Sequence, residues 1–181
     1  MRRLRHITLT LLFCVILCCT AHAGPTCDPA LLKQANAGDV NVQSLVAHIY
    51  ASDKGGESNF HKARYWYQRI IAERKADAKL LGHANLILGL MYTHGKGGER
   101  DYDNALHCFK QAAQQGYYDA HLSIGKLYIQ GLGVEKDYNK ARDWLLIAAN
   151  KGHREAQKLS YLLEKELTKS RQLQTTLNVF N

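Results

Sequence analysis

Lys96 stands in a glycine-rich loop, HGKGGERD (His94–Asp101), the composition of a loop that cradles phosphate. That chemistry needs G-x-x-x-x-G-K-[ST] between a strand and a helix, so that backbone amides and the lysine converge on the anion. No Ser or Thr follows Lys96. The histidines offer metal chemistry no better. Outside the first 23 residues they are His48, His61, His83, His94, His107, His121 and His153, and none forms H-E-x-x-H or H-x-x-x-H. Cys27 and Cys108 do not form C-x-x-C. Cys108 has His107 beside it, but neighbours on a helix point about 100° apart, which is wrong for a nucleophile and its base. No metal or cofactor is expected.

The loop is explained by what surrounds it. Thirty-six residues on, GLGVEKD (Gly131–Asp137) repeats it, with Gly95 on Gly131, Gly97 on Gly133 and Asp101 on Asp137. Lys96 falls on Leu132, so the glycines and the acid recur and the lysine does not. A loop recurring in register is a structural joint between stacked units. The repeat extends both ways. Ala84, Leu86, Gly89 and Tyr92 fall on Ala120, Leu122, Gly125 and Tyr128; Ala105, Ala112-Ala113 and Gly116 fall on Ala141, Ala148-Ala149 and Gly152. Each unit reads helix, glycine turn, helix, glycine turn, with apolar or small residues at helical steps. A third copy lies upstream at an offset of 42, placing Tyr50, Gly55, Asn59, Ala63, Trp66 and Tyr67 on Tyr92, Gly97, Asp101, Ala105, Cys108 and Phe109. Asp53 replaces its first glycine, and its six extra residues are expected in the second helix or the turn after it. Asn59, Asp101 and Asp137 are expected to cap the second helices.

The units divide as follows. Residues 24–41 read as an N-terminal half-repeat, begun by Asp28-Pro29 and closed by Gly38. Three full repeats follow over 42–157, at about 42–77, 84–119 and 120–153. A capping helix is expected over 154–170, rich in Glu and Lys, and a fraying tail over 171–181, whose Leu177, Val179 and Phe180 could dock. Residues 1–23 read as a secretory signal: Arg2, Arg3 and Arg5, an apolar run from Ile7 to Cys19, then Ala21-His22-Ala23. That run is too short for a permanent membrane span. Cleavage would leave a periplasmic or secreted protein without membrane insertion. It would lower the formal charge from +8 to +5 by removing three arginines, and no basic stripe remains for nucleic acid. Two cysteines do not make a disulfide framework. The stacking order keeps Cys27 and Cys108 apart, leaving Cys27 for an intermolecular bond.

The pattern A-x-x-x-L-G-x-x-Y-x-x-G-x-G-V, then D-Y-x-K-A-x-x-W, then A-A-x-x-G resembles the Sel-one-like repeat family, relatives of tetratricopeptide repeats. Ala120–Gly152 carries nearly all of it, whereas Ala84–Gly116 has Gly98 for the valine, Asn104 for the lysine and Cys108 for the tryptophan. The resemblance implies an all-α fold, a right-handed α-solenoid, and a non-enzymatic scaffold that binds protein partners. In such arrays the first helices line the inner wall. Their residues unmatched between units, Gln43, His48, Asn85, His121, Ser123 and Lys126, are therefore the candidate partner-binding set. The alternative is a cell-wall or β-lactam hydrolase of the cysteine-rich branch, whose paired cysteines this chain lacks. Tyr and Trp content alone would suggest a polysaccharide-binding module, but Tyr92, Tyr128, Trp66 and Trp144 sit at repeat positions.

Overall fold

The computed structural model describes residues 27–52, 57–73 and 76–179. Eight helices are described and no strand: α1 Pro29–Asn36, α2 Val40–Ala51, α3 Glu57–Ala72, α4 Ala78–His94, α5 Tyr102–Gln114, α6 Tyr118–Gln130, α7 Tyr138–Asn150 and α8 Arg154–Val179. Each packs on the next in sequence, most extensively within the pairs α2/α3, α4/α5 and α6/α7. This is an α-solenoid of three helix pairs between a half-unit and a terminal helix.

Small residues let the pairs close. Ala84, Ala105, Ala120, Ala141 and Ala156 are fully buried. A Cβ on Gly89 would lie 2.6 Å from Phe109, and one on Gly125 would lie 2.7 Å from Leu145. The repeating glycine of α4 and of α6 is thus the notch that seats an apolar side chain of the helix that follows. Burying such a side chain stabilises by roughly 1.5–3 kcal/mol. Gly97 and Gly133 make the joint between units. Both have positive φ, 71° and 64°. Gly97 sits on the Phe60–His61 backbone of α3, and Gly133 on the Tyr102 backbone of α5, with no room for a Cβ. The loop that resembled a phosphate cradle is a seam where one unit's turn rests on the preceding unit's second helix.

Caps follow the acids. Asp101 and Asp137 accept from the backbone N–H of Asn104 and Lys140, each at 2.9 Å. Those bonds pull both carboxyls below the usual range. Asp28 accepts from Ala30 N–H at 2.8 Å, with Pro29 opening α1 as expected.

The structure corrects four expectations. Asn59 is not a cap: α3 already begins at Glu57, so Asn59 lies inside it, buried, with its Nδ2 unpartnered among the described residues. Only two of the six extra residues lengthen the exit turn of α3, as expected, and α3 itself ends at Ala72, the counterpart of Gln114. The other four add a first turn to α4, which has 17 residues against 13 in α6. Asp77 caps the added segment through Leu80 N–H at 2.7 Å, and the Tyr117 hydroxyl donates to Lys79 O at 2.8 Å. The terminal helix does not stop at Ser170 but runs to Val179. Finally, Cys27 is not available at the surface: it is 6% exposed, and burial raises its thiol pKa. It and Cys108 are both free thiols. The signal segment, Asp53, Gly55 and Phe180 lie outside the described residues.

Candidate partner-binding groove

Three of the six candidate residues are buried. Gln43, Asn85 and His121 are 0%, 6% and 7% exposed, because they occupy one repeat position, separated by the same 42- and 36-residue offsets as the tyrosines. Gln157 continues the series. Gln43 Nε2 donates to Ala35 O at 3.0 Å, and Gln157 Nε2 to Ala149 O at 3.1 Å, eight residues back in each case. Each amide thereby satisfies a carbonyl at the C-terminal end of the preceding helix, where carbonyls lack intrahelical partners. Gln43 also donates to Glu73 at 3.0 Å. Asn85, one methylene shorter, donates instead to Leu81 O within its own helix at 2.9 Å. The Nδ1 of His121 lies 3.2 Å from Tyr117 O, and its ring lies between those of Tyr118 and Trp144. The shared position was missed because glutamine, asparagine and histidine look unrelated in a sequence, although all three are short hydrogen-bonding side chains.

The other three candidates do not converge. His48 is exposed, and its charge helps burial hold the neighbouring His83 below the usual histidine range. Ser123 donates to Asp119 O at 2.8 Å. Lys126 reaches across to α8, with Nζ 2.7 Å from Glu155.

A different surface is built around Cys108. A groove of about 530 Å³ runs between the second helices α3 and α5, over the first helix α4. Its floor is Ile71, Leu81, Asn85, Leu88, Tyr92 and Cys108. Its rim carries Gln68, Asn104, His107, Gln111 and Gln115, so no Lys, Arg, Asp or Glu lines it. The Gln68 amide donates to the Tyr92 hydroxyl at 3.1 Å, tying rim to floor. The repeat explains the opening. Cys108 occupies the position that holds Trp66 in the first unit and Trp144 in the third, and Asn85 is the counterpart of His121. In the third unit the Trp144 and His121 rings pack 5.5 Å apart. In the second unit the corresponding pair is Cys108 and Asn85, and both line open space.

Comparison with known proteins agrees with this architecture. The Sel1 repeat is matched over residues 41–73, 82–117 and 119–153, more than half of the chain. The protein belongs to the Sel1 repeat family. Its fold is similar to that of a protective antigen present in uropathogenic Escherichia coli strains that displays an SLR fold: TM-score 0.66, 30% identity, covering 81% of this chain and 30% of that one. It is also similar to a Sel1 repeat protein from Oxalobacter formigenes, at TM-score 0.61 and 30% identity, covering 72% of this chain and 51% of the other. The chain thus spans about a third and about half of those two proteins.

Sel1 repeat proteins are generally protein-interaction scaffolds and generally non-enzymatic. Burial pushes the Cys108 thiol up to about 11, the opposite of what a thiolate nucleophile requires. Ser123-Ile124-Gly125-Lys126 has the Ser-x-x-Lys spacing of acyl-enzyme nucleophiles. Here the serine hydroxyl is spent on its own helix and the lysine is paired with Glu155. Among the described residues no group of three or more His, Cys, Asp or Glu could hold a metal ion, and no helix is long and apolar enough to cross a membrane.

Proposed function

We propose that this Sel1 protein is an exported, non-enzymatic interaction scaffold of the cell envelope or of the secreted fraction, and that it holds a segment of a partner protein in the groove over α4. The observation that carries this reading is the groove's rim. Five polar side chains, four of them amides, surround an apolar floor. Each primary amide offers both a donor and an acceptor, matching the N–H and C=O groups of a peptide main chain. The volume of about 530 Å³ falls in the range of sites that enclose a ligand. The reading moves the binding surface from the first-helix wall to the groove between the second helices, because Gln43 and His121 serve the packing of the array, while Asn85 stays in the groove floor. Export rests on Arg2, Arg3, Arg5, the apolar run and Ala21-His22-Ala23.

A photo-crosslinking residue at Gln111, on the rim, is expected to capture a partner in cells producing the protein, whereas the same residue at Gln172, exposed on α8, is not. Equal capture from both positions would remove the groove from the account. Intact mass of the exported protein should correspond to a chain starting at Gly24, and an uncleaved or acylated N-terminus would overturn the processing.

A further inference from the structure

Resting on that reading, we infer that the groove over α4 is a receptor for an indole side chain, a tryptophan of the partner segment, in the place where the repeat normally supplies its own. Three observations converge. The room lies between Cys108 and Asn85, whose counterparts in the third unit are Trp144 and His121, with rings in contact at 5.5 Å. The first unit also fills this position from within, with Trp66 only 4% exposed. The second unit keeps the helices that frame an indole slot but puts a small side chain at its base, so the volume stays open.

The walls suit that guest. Ile71, Leu81 and Leu88 offer apolar contact, beside the Tyr92 ring, which carries the Arg64 guanidinium 4.0 Å from its centroid. An indole buries a large apolar area and keeps one N–H, which needs an acceptor once it leaves water. Amide oxygens at Gln68, Asn104 and Gln111 stand on the rim to provide it. A lysine or arginine side chain would find no carboxylate among the lining residues. Leucine would cover the floor but make no hydrogen bond to the rim amides. The array itself shows the complementarity: a unit with Trp at this position packs, and the groove is its negative. The thiol of Cys108, 5% exposed at the base, adds a soft polarisable contact.

N-acetyl-tryptophanamide is the probe. Titrated into the isotopically labelled protein, it should saturably shift the side-chain amide signals of Asn85, Asn104 and Gln111, with contacts from the indole to the methyls of Ile71, Leu81 and Leu88. N-acetyl-leucinamide and N-acetyl-lysinamide should bind at least tenfold more weakly. Cys108→Trp should fill the slot from within and abolish the shifts while helicity is retained. If that variant fails to fold, the contacts in the unsubstituted protein decide the matter alone. Absence of indole contacts to those methyls, or equal binding of the leucine and tryptophan probes, overturns the proposal. Partner capture through Gln111 without indole binding would leave the scaffold standing and remove the tryptophan.

Discussion

Two alanine substitutions at glycines of similar backbone conformation separate the seam from simple turn geometry. Gly116 has φ of 84°, and a Cβ there would meet nothing within 4 Å. Gly116→Ala therefore costs only the left-handed penalty of an L residue, ~1–2 kcal/mol. Gly97 has φ of 71° and incurs the same penalty, but its Cβ would press on the Phe60 carbonyl group and lie 2.8 Å from His61 N. Those are backbone atoms of α3, which cannot rotate aside as a side chain could. Forcing an atom into a packed site costs a further ~1–3 kcal/mol. Gly97→Ala should thus lose about 2–5 kcal/mol, and the difference between the variants should be about 1–3 kcal/mol. For a chain of this size each kcal/mol moves the melting point by about 2–4 °C. Urea unfolding followed by circular dichroism reads the difference directly, with the slope checking that the same surface is exposed. Because stability in stacked arrays is a sum of unit and neighbour terms, the loss at Gly97 should concentrate in α1–α3 and α4 by hydrogen exchange. Equal destabilisation by the two substitutions would refute the seam.

Other perturbations test the packing elsewhere. Gln43→Ala leaves the Ala35 carbonyl with only the Gly38 N–H and should cost about 0.5–1.5 kcal/mol in urea unfolding; no measurable loss would deny it a stapling role. Burial first, and the His48 charge second, hold His83 below its ordinary value of 6.5. The unfolded chain therefore takes up that proton first. The stability contributed by His83 is complete above the ordinary value and is lost as pH falls through the folded one. His83→Gln should flatten the decline measured by urea unfolding between neutral and mildly acidic pH, and an unchanged slope would contradict it. With its thiol pushed up to about 11, only about a thousandth of Cys108 is thiolate at pH 8, so thiol reagents should modify it slowly in native protein and rapidly in urea. Fast native labelling at Cys108 would mean that burial does not hold its thiol up.

The fold was legible because its determinants are residues with few alternatives. Only glycine tolerates the joint at Gly97 and Gly133, and only small residues fit at Gly89, Gly125 and Ala141, so these recur visibly. Aspartates at Asp101 and Asp137 recur because a short oxygen-bearing side chain is what the first turn of a helix needs. Where the backbone could choose, the pattern was silent. The inserted residues became an extra turn of α4 because Asp77 caps it and Tyr117 holds it, and no periodicity within the insertion announces either contact. The terminal helix outran its expected end for a related reason: residues 171–179 contain no proline or glycine to stop it.

The candidate site was harder to read because mismatch between units was taken as freedom from packing. Gln43, Asn85 and His121 differ in name and share one task, hydrogen bonding within the frame, so substitution at that position does not mean exposure. The informative mismatch was Cys108. It was visible in the sequence as a departure from tryptophan, and it is buried. What a single helix cannot display is the space that such a residue leaves, because that space is bounded by α3 and α4 as well as α5. In a repeat array a large residue repeated at a buried position measures the cavity it fills. Where one unit puts a much smaller side chain there and the frame persists, a cavity of that shape is present. A departure from large to small at a packing position is therefore a better signal of a binding site in this fold than variation on an outward face.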